Sequence, residues 1–359
     1  MNPAFAPPQH PTAGEGRVVE YLASVARRAG LEVEQQVVLP GRANLLARLA
    51  PGGRVRQRLL LAPHTDTVGG EAGQFTPVEK GGRLYGRGAC DTKGSLAAML
   101  VALAQVAQAG PRPQATEIVL AALVDEENEQ AGSRALAAAG WRAALAVVGE
   151  PTRLQVVTAH KGSLWLHLET RGRAAHGARP ELGINAVHRM ARVVELLLTT
   201  YARSLRARRH PLLGSATISV GSLHGGTQPN IVPDRCVATL DRRTLPGETL
   251  TGVCRDLRRL LRRHRLPAIL TDSKTAACLP LETQPRLPLV RALMAAAGQA
   301  KPVGVHFFCD ASVLAQAGTP SVVFGPGDIA QAHTATEWVS VAALDRATGV
   351  LARFLRSLP

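Results

Sequence analysis

The sequence predicts an α/β protein: a large domain built on a mainly parallel sheet, with a smaller α+β unit of ferredoxin-like order inserted into it. Three observations carry this. Up to Lys161, short apolar runs that end in turn residues alternate with helical patterns. Beyond Lys161 the runs change to a period of two, the mark of a sheet covered on one face. From Lys274 on, the first pattern returns.

The elements follow in order. Glu15–Ala29 is amphipathic and stops at Gly30, which predicts a helix. Glu32–Leu39 and Asn44–Leu49 read as strands, and Arg58–Ala62, closed by Pro63, as a strand buried on both faces. Ser95–Ala109 is a long apolar helix stopped by Gly110 and Pro111. Glu117–Val124 and Ala143–Val148 are further strands, with the helix Ser133–Ala139 between them. In the insert, Leu164, Leu166 and Leu168 share one face of a strand over Leu164–Thr170. The helix Asn185–Tyr201, the strands Ala216–Val220 and Cys236–Leu240, and the helix Leu250–Arg263 complete a β-α-β-β-α-β order. Helix Leu287–Ala297 and the buried strand Ser321–Phe324 belong to the large domain again. Residues 1–160 and 274–359 are thus expected to form the large domain, and 161–273 the insert.

Composition excludes several classes. With 359 residues, 46% of them hydrophobic, the chain can bury a large core, so disorder is not its dominant state. No window approaches the roughly 20 apolar residues of a membrane span. The first residues, MNPAFAPPQHPTAGEG, lack a basic start followed by an apolar stretch, so no signal peptide is expected. Five scattered cysteines without a C-x-x-C pair suit a reducing, cytoplasmic setting. The excess of 42 Lys and Arg over 27 Asp and Glu gives a net charge of +15. It is densest in Arg203–Arg209 and Arg255–Arg265, where leucines at helical spacing point to solvated helix faces. No aromatic residues interleave there, so attraction of small carboxylate-bearing molecules is expected rather than nucleic-acid binding.

The chemistry-bearing residues follow the buried strands. Arg58–Ala62 leads to PHTDT, with His64 and Asp66; Glu117–Val124 leads to DEENE, with Asp125, Glu126 and Glu127; Ala143–Val148 leads to GEPT, with Glu150. Ser321–Phe324 leads to GPGDIAQAH, with Asp328 and His333, and GRGACDTKGS places Asp91 in a glycine-rich loop before a helix. Ligands of open α/β sheets bind beyond the carboxyl ends of the strands, so these groups are expected to converge. Carboxylates that share a site repel one another unless a cation joins them. Two histidines with several carboxylates suit zinc or a similar divalent ion, and their number exceeds one tetrahedral shell. A hydrolytic two-metal site with ions about 3.5–4 Å apart is expected.

The segments LLLAPHTDTV, LYGRGACDTKGSLAAML, ALVDEENEQAGS, VVGEPT, RAAHGARPELGINAV, NIVPDRCVATLDRRTLPGE and VVFGPGDIAQAHTATEWV cover the chain almost end to end. In this order they resemble the zinc aminoacylase/carboxypeptidase family, the M20-type metallopeptidases, which includes acetylornithine deacetylase and succinyl-diaminopimelate desuccinylase. The FGPG and QAH forms are more similar to the acetylornithine deacetylase branch.

The resemblance implies a role for each matched residue. His64 binds one metal, and Asp66 orients its ring. Asp91 bridges both ions, with a cis peptide after it. Glu127 and His333 bind the second ion, and Glu150 completes the shell of the first. Glu126 is the general base: it takes a proton from a water bridging the two metals, and the hydroxide attacks an amide carbonyl. His176 stabilises the oxyanion, reaching a neighbouring subunit's site. Lys161, Asn230 and Arg243 contact substrate, with Arg243 suited to a carboxylate. The insert is then both lid and dimer interface of a homodimer. Two Zn2+ per subunit are implied, with Co2+ or Mn2+ as alternatives. The implied activity is cleavage of the amide bond of N-acyl-L-amino acids, with N-acetyl-L-ornithine as first substrate and dipeptide or carboxypeptide cleavage as the alternative. A non-catalytic metal-binding relative is the rival, and retention of every ligand and of Glu126 argues against it.

Neighbouring residues carry plainer readings. His10, His188, His210, His224, His264 and His306 read as surface or capped histidines, and Cys90 and Cys309 as small buried thiols. Asp125 shapes its turn or supports a ligand, and Glu129 is solvated. Asp328 and Glu337 either cap turns or, for Glu337, hold His333. Asp310, in FFCDAS, has no assigned role. Gly86 and Gly88 form a G-x-G fragment that opens no nucleotide-binding unit.

Overall fold

A computed structural model describes residues 1–6, 13–108, 112–272 and 278–359. His10, Ala109, Gly110, Pro111 and the expected boundary at Lys274 lie outside the described residues. The chain divides into two compact units. One comprises Met1–Thr158, Thr283–Gly304 and Cys309–Pro359; the other comprises Ala159–Glu282 and Val305–Phe308.

The larger unit is centred on a mixed sheet. Its strands run in the order Glu32–Leu39, Arg42–Leu49, Thr116–Ala122, Gln57–Pro63, Leu145–Gly149 and Ser321–Val323. The last four are parallel to one another. The hairpin of the first two strands adds an antiparallel edge, and Val157 pairs antiparallel with Val323. The central strands are apolar throughout because both faces are covered: Leu59, Leu60, Leu61 and Leu145 to Val147 are fully buried.

Helix Gly16–Arg28 buries Val19, Leu22, Ala23 and Ala26, a one-sided stripe at helical spacing. Helix Lys93–Gln108 buries residues almost all round, including Leu96, Met99, Leu100 and Leu103, and packs along Val341–Arg356. It begins two residues before the predicted start, directly after Thr92. The strand after it ends at Ala122, two residues before the predicted Val124. The small sheet of Val78–Lys80, Arg83–Tyr85 and Trp338–Ser340 has no counterpart in the sequence reading. Its strands are three residues long and are defined by pairing across the chain.

The smaller unit carries a four-stranded antiparallel sheet. Its order is Thr217–Gly225, Arg235–Thr244, Gly162–Arg171 and Ile269–Asp272, which is ferredoxin-like. Leu164, Leu166 and Leu168 meet Met190, Val193, Leu257 and Leu261 of the two helices in a separate core. Helix Leu250–Arg263 has the predicted bounds, and the Thr249 side chain caps it. The helix predicted over Asn185–Tyr201 is α-helical over Ala186–Leu196, capped by Asn185. A π-helical turn, Leu197–Tyr201, then leads into Ala202–Arg206.

Candidate metal centre

His64 and Glu150 directly follow central strands, Glu127 and His333 lie farther along the loops after Thr116–Ala122 and Ser321–Val323, and Asp91 is in the loop before helix Lys93–Gln108. His64 follows strand Gln57–Pro63 and pairs as an isolated bridge with Leu123. Its ring is buried. Nδ1 lies 3.1 Å from the Asp66 backbone carbonyl and 3.3 Å from Asp66 Oδ1, while Nε2 lies 3.1 Å from Asp91 Oδ1 and 3.9 Å from Glu150 Oε1. With Nδ1 held by Asp66, Nε2 is the atom that faces the carboxylates.

Asp91 has one oxygen toward each histidine. Oδ1 faces His64, and Oδ2 lies 3.3 Å from His333 Nε2. The Asp91–Thr92 peptide is cis. The Thr92 hydroxyl donates to the Gly149 carbonyl at 2.6 Å, which ties the start of the helix to the strand that carries Glu150. His333 Nε2 lies 3.1 and 3.2 Å from the two Glu127 carboxylate oxygens. Two groups of donor atoms each converge within 4.8 Å: His64, Asp91 and Glu127, and His64, Glu126 and Glu150.

The electrostatics call for positive charge. Burial, then the charge of Glu150, pushes the Glu126 carboxyl well above the usual range; burial, then Asp91, does the same to Glu150. The hydrogen bonds to Asp91 and Glu127 raise His333 to about 10. Histidine nitrogens and desolvated carboxylates grouped in this way suit a borderline divalent cation, which would supply the missing counter-charge. The donor set therefore fits the two-ion expectation.

Asp66 is almost fully buried and well satisfied. It accepts the Glu126 and Glu127 N–H groups at 3.1 Å each, besides facing His64. Burial pushes its carboxyl up, but His64, Asn2 and the Glu127 N–H more than offset this and hold it below the usual value.

Four further expected residues lie in the smaller unit. His176 is exposed, its Nδ1 accepts the Ala178 N–H at 3.1 Å, and it bridges to Ile231 beside the exposed Asn230. Lys161 is buried and donates from Nζ to the Ser215 carbonyl at 2.6 Å. Arg243 is paired with Asp241 at 2.9 Å, and Ser163 holds that carboxylate from the other side at 3.0 Å.

The structure decides between the two readings of Glu337. Glu337 does not hold His333; it binds the loop that carries Asp91. Its oxygens accept the N–H groups of Gly88, Cys90 and Asp91 and the Arg87 guanidinium. This also disposes of the G-x-G fragment as a phosphate cradle, because its amides are already engaged: Gly86 donates to the Glu337 backbone carbonyl, Arg87 to the Gln74 carbonyl and Gly88 to the Glu337 carboxylate. Asp328 caps the turn Ile329–Gln331 and binds Arg153. Asp125, at φ +67°, binds Arg42 at 2.9 Å. Asp310 accepts the Ser133 hydroxyl at 2.6 Å, and its carboxyl is raised to about 6, chiefly by burial. Cys90 and Cys309 are buried free thiols. The sequence reading missed Asn2, Arg42 and Ser133, which reach the site only through partners distant in the chain.

Residues 60–357 match the sequence family described as Peptidase family M20/M25/M40. An acetylornithine deacetylase of Myxococcus xanthus is 34% identical over 352 residues, spanning 94% of this chain and 90% of that protein. Among solved structures, an aminopeptidase PepT from Bacillus cereus superposes with a TM-score of 0.78 at 20% identity, over 95% of this chain and 92% of the other. A dinuclear metal binding M20 peptidase from Bacillus subtilis superposes with a TM-score of 0.69 at 14% identity, over 95% and 91%. The chain belongs to peptidase family M20/M25/M40 and is a metallo-hydrolase. Among the described residues, no helix is long and apolar enough to cross a membrane.

Proposed function

We propose that this protein is a two-metal amidohydrolase that cleaves N-acyl-L-amino acids, with N-acetyl-L-ornithine as the first substrate to try. The observation that carries the reading is Asp91, whose two oxygens face His64 and His333 separately. One ion is assigned to His64, Asp91 and Glu150, the other to Asp91, Glu127 and His333. Zinc suits these donors, with cobalt or manganese as substitutes. When bound, the ions polarise the scissile carbonyl and acidify water.

The chain's own groups do the rest. Asp66 keeps the His64 ring oriented through Nδ1. Glu126 takes a proton from the attacking water and delivers it to the leaving nitrogen. Burial, with Glu150 and Asp310 adding to it, raises its carboxyl above the usual range. To the smaller unit, as lid and dimerisation domain of a homodimer, the same reading gives oxyanion stabilisation by His176 and substrate contact by Lys161, Asn230 and Arg243. The domain limits 1–160 with 274–359, and 161–273, go with that assignment. Buried thiols such as Cys90 and Cys309 suit a cytoplasmic enzyme.

The deacetylase reading is supported by the Myxococcus xanthus relative. The aminopeptidase among the structural neighbours keeps peptide cleavage as a second reading. The deciding experiment is free-amine release by the zinc-loaded protein from N-acetyl-ornithine, other N-acetyl and N-succinyl amino acids, and dipeptides. Fast release from one acyl-amino acid is the expected result. Preference for dipeptides would move the assignment to peptidase.

A further inference from the structure

Two buried carboxylates, Asp66 and Asp125, are joined by one side chain. Asn2 is itself fully buried. Its Nδ2 donates one hydrogen to Asp66 Oδ2 at 2.7 Å and the other to Asp125 Oδ1 at 2.9 Å. Its Oδ1 accepts the Ala4 N–H at 3.0 Å, and its backbone N–H donates to the Thr67 carbonyl at 2.8 Å. The amide can point only one way. Exchanging its ends would set an oxygen against two carboxylates and an NH2 group against an N–H. Behind Asp125 stands Arg42, which also binds Glu15 through Nε at 2.7 Å. On the other side, Asp66 faces His64 and accepts the Glu126 and Glu127 N–H groups.

We propose that Asn2 is a positioning residue for the metal centre, acting through Asp66 on His64 and on the backbone of Glu126 and Glu127. The inference rests on His64 being a metal ligand. Its physical basis is the charge arrangement. Asp66 serves His64 on one edge, and the buried Asp125 lies close on the other. Without a donor between them the two carboxylates repel, and each loses a hydrogen bond that no solvent replaces. Asp66 then moves or reorients, and His64 and the two glutamate amides follow. The Asn2 NH2 group supplies one hydrogen to each carboxylate and adds no charge of its own. Nothing local in the sequence signals this, since the partners lie 64 and 123 positions away.

The test is zinc affinity, measured by chelator competition, with the melting temperature of the metal-free protein alongside. Asn2→Ala is expected to weaken binding of the more affected ion about tenfold, the size seen when an outer partner of a ligand is lost. Asn2→Asp, which keeps the size and replaces the donor by an acceptor, is expected to weaken it at least as much. In an Asp66→Asn background, Asn2→Ala is expected to add less than about twofold, because the residue through which it acts has already changed. An unchanged affinity in Asn2→Ala would overturn the proposal. So would the same tenfold loss in both backgrounds, which would mark a merely structural role. If Asn2→Ala does not fold, Asn2→Ser, which keeps one donor, enters the same comparison. His64→Ala separates the two levels of the argument. If it does not reduce the ions bound from two to one, the metal-centre reading fails. If it does, and Asn2→Ala binds zinc as the native protein does, the present inference alone fails.

Discussion

The Glu337 carboxylate grips the backbone at Asp91. Oε1 accepts the Asp91 and Cys90 N–H groups at 2.9 Å each, and Oε2 accepts the Gly88 N–H at 3.0 Å and the Arg87 guanidinium at 2.8 Å. Both side chains are nearly inaccessible, Arg87 at 4% and Glu337 at 1%. Removing the carboxylate strands a buried cation and three amides, so Glu337→Ala should destabilise the metal-free protein by about 3–5 kcal/mol. Glu337→Gln should cost less and still weaken metal binding, because Asp91 loses a charged anchor. Equilibrium urea unfolding with and without zinc checks both; native stability in Glu337→Ala would contradict the anchoring role.

Glycine is required where Gly325 passes the site. A Cβ there would stand 2.2 Å from the Ser95 hydroxyl and 2.6 Å from the Glu150 carbonyl oxygen. Gly325→Ala should therefore destabilise by about 1–3 kcal/mol through overpacking. It should also lower metal affinity by displacing Glu150. A variant with unaltered melting temperature and metal affinity would show that the strand end relaxes without moving Glu150.

His160 makes stability depend on pH. Burial depresses its ring from 6.5 to about 4, and its Nε2 has no hydrogen-bond partner among the described residues. Between these values the unfolded chain takes up a proton that the folded protein refuses. Stability is therefore complete above pH 6.5 and falls as pH drops toward 4, by up to about 3 kcal/mol from this residue. His160→Gln, which retains a donor for the Lys161 carbonyl, should flatten that part of the profile. Urea midpoints at pH 7 and pH 4.5 for both proteins give the comparison, and equal slopes would contradict it.

Metal removal should lower the melting temperature reversibly. An ion present at about 100 times its dissociation constant adds about 2.7 kcal/mol to the folded state. Chelation should remove that increment and zinc should restore it, with a smaller gain in His333→Ala. A melting temperature indifferent to chelator would speak against metal at this cluster.

Local chemistry explains which features were legible in the sequence. Helix Leu250–Arg263 could be bounded to the residue because its leucine stripe is a local signal. The buried strands stood out as apolar runs, and each is followed by an acidic or imidazole residue, so the cluster could be assembled from strand ends. The residues proposed as ligands also sit in motifs with a family pattern. The supporting groups are different. Glu337 meets Asp91 across 246 positions, and Asn2 meets Asp125 across 123, with nothing periodic to mark either pair. Similarly, Arg83–Tyr85 and Trp338–Ser340 are strands only because they pair.

Glu126 provides the most direct test. Glu126→Gln should still bind two metal ions, because the proposed ligand set does not include it, while free-amine release from the best acyl-amino acid should fall by about a hundredfold to ten-thousandfold. Turnover at the native rate with both ions bound would contradict the account, since the proton would then have to move through another group.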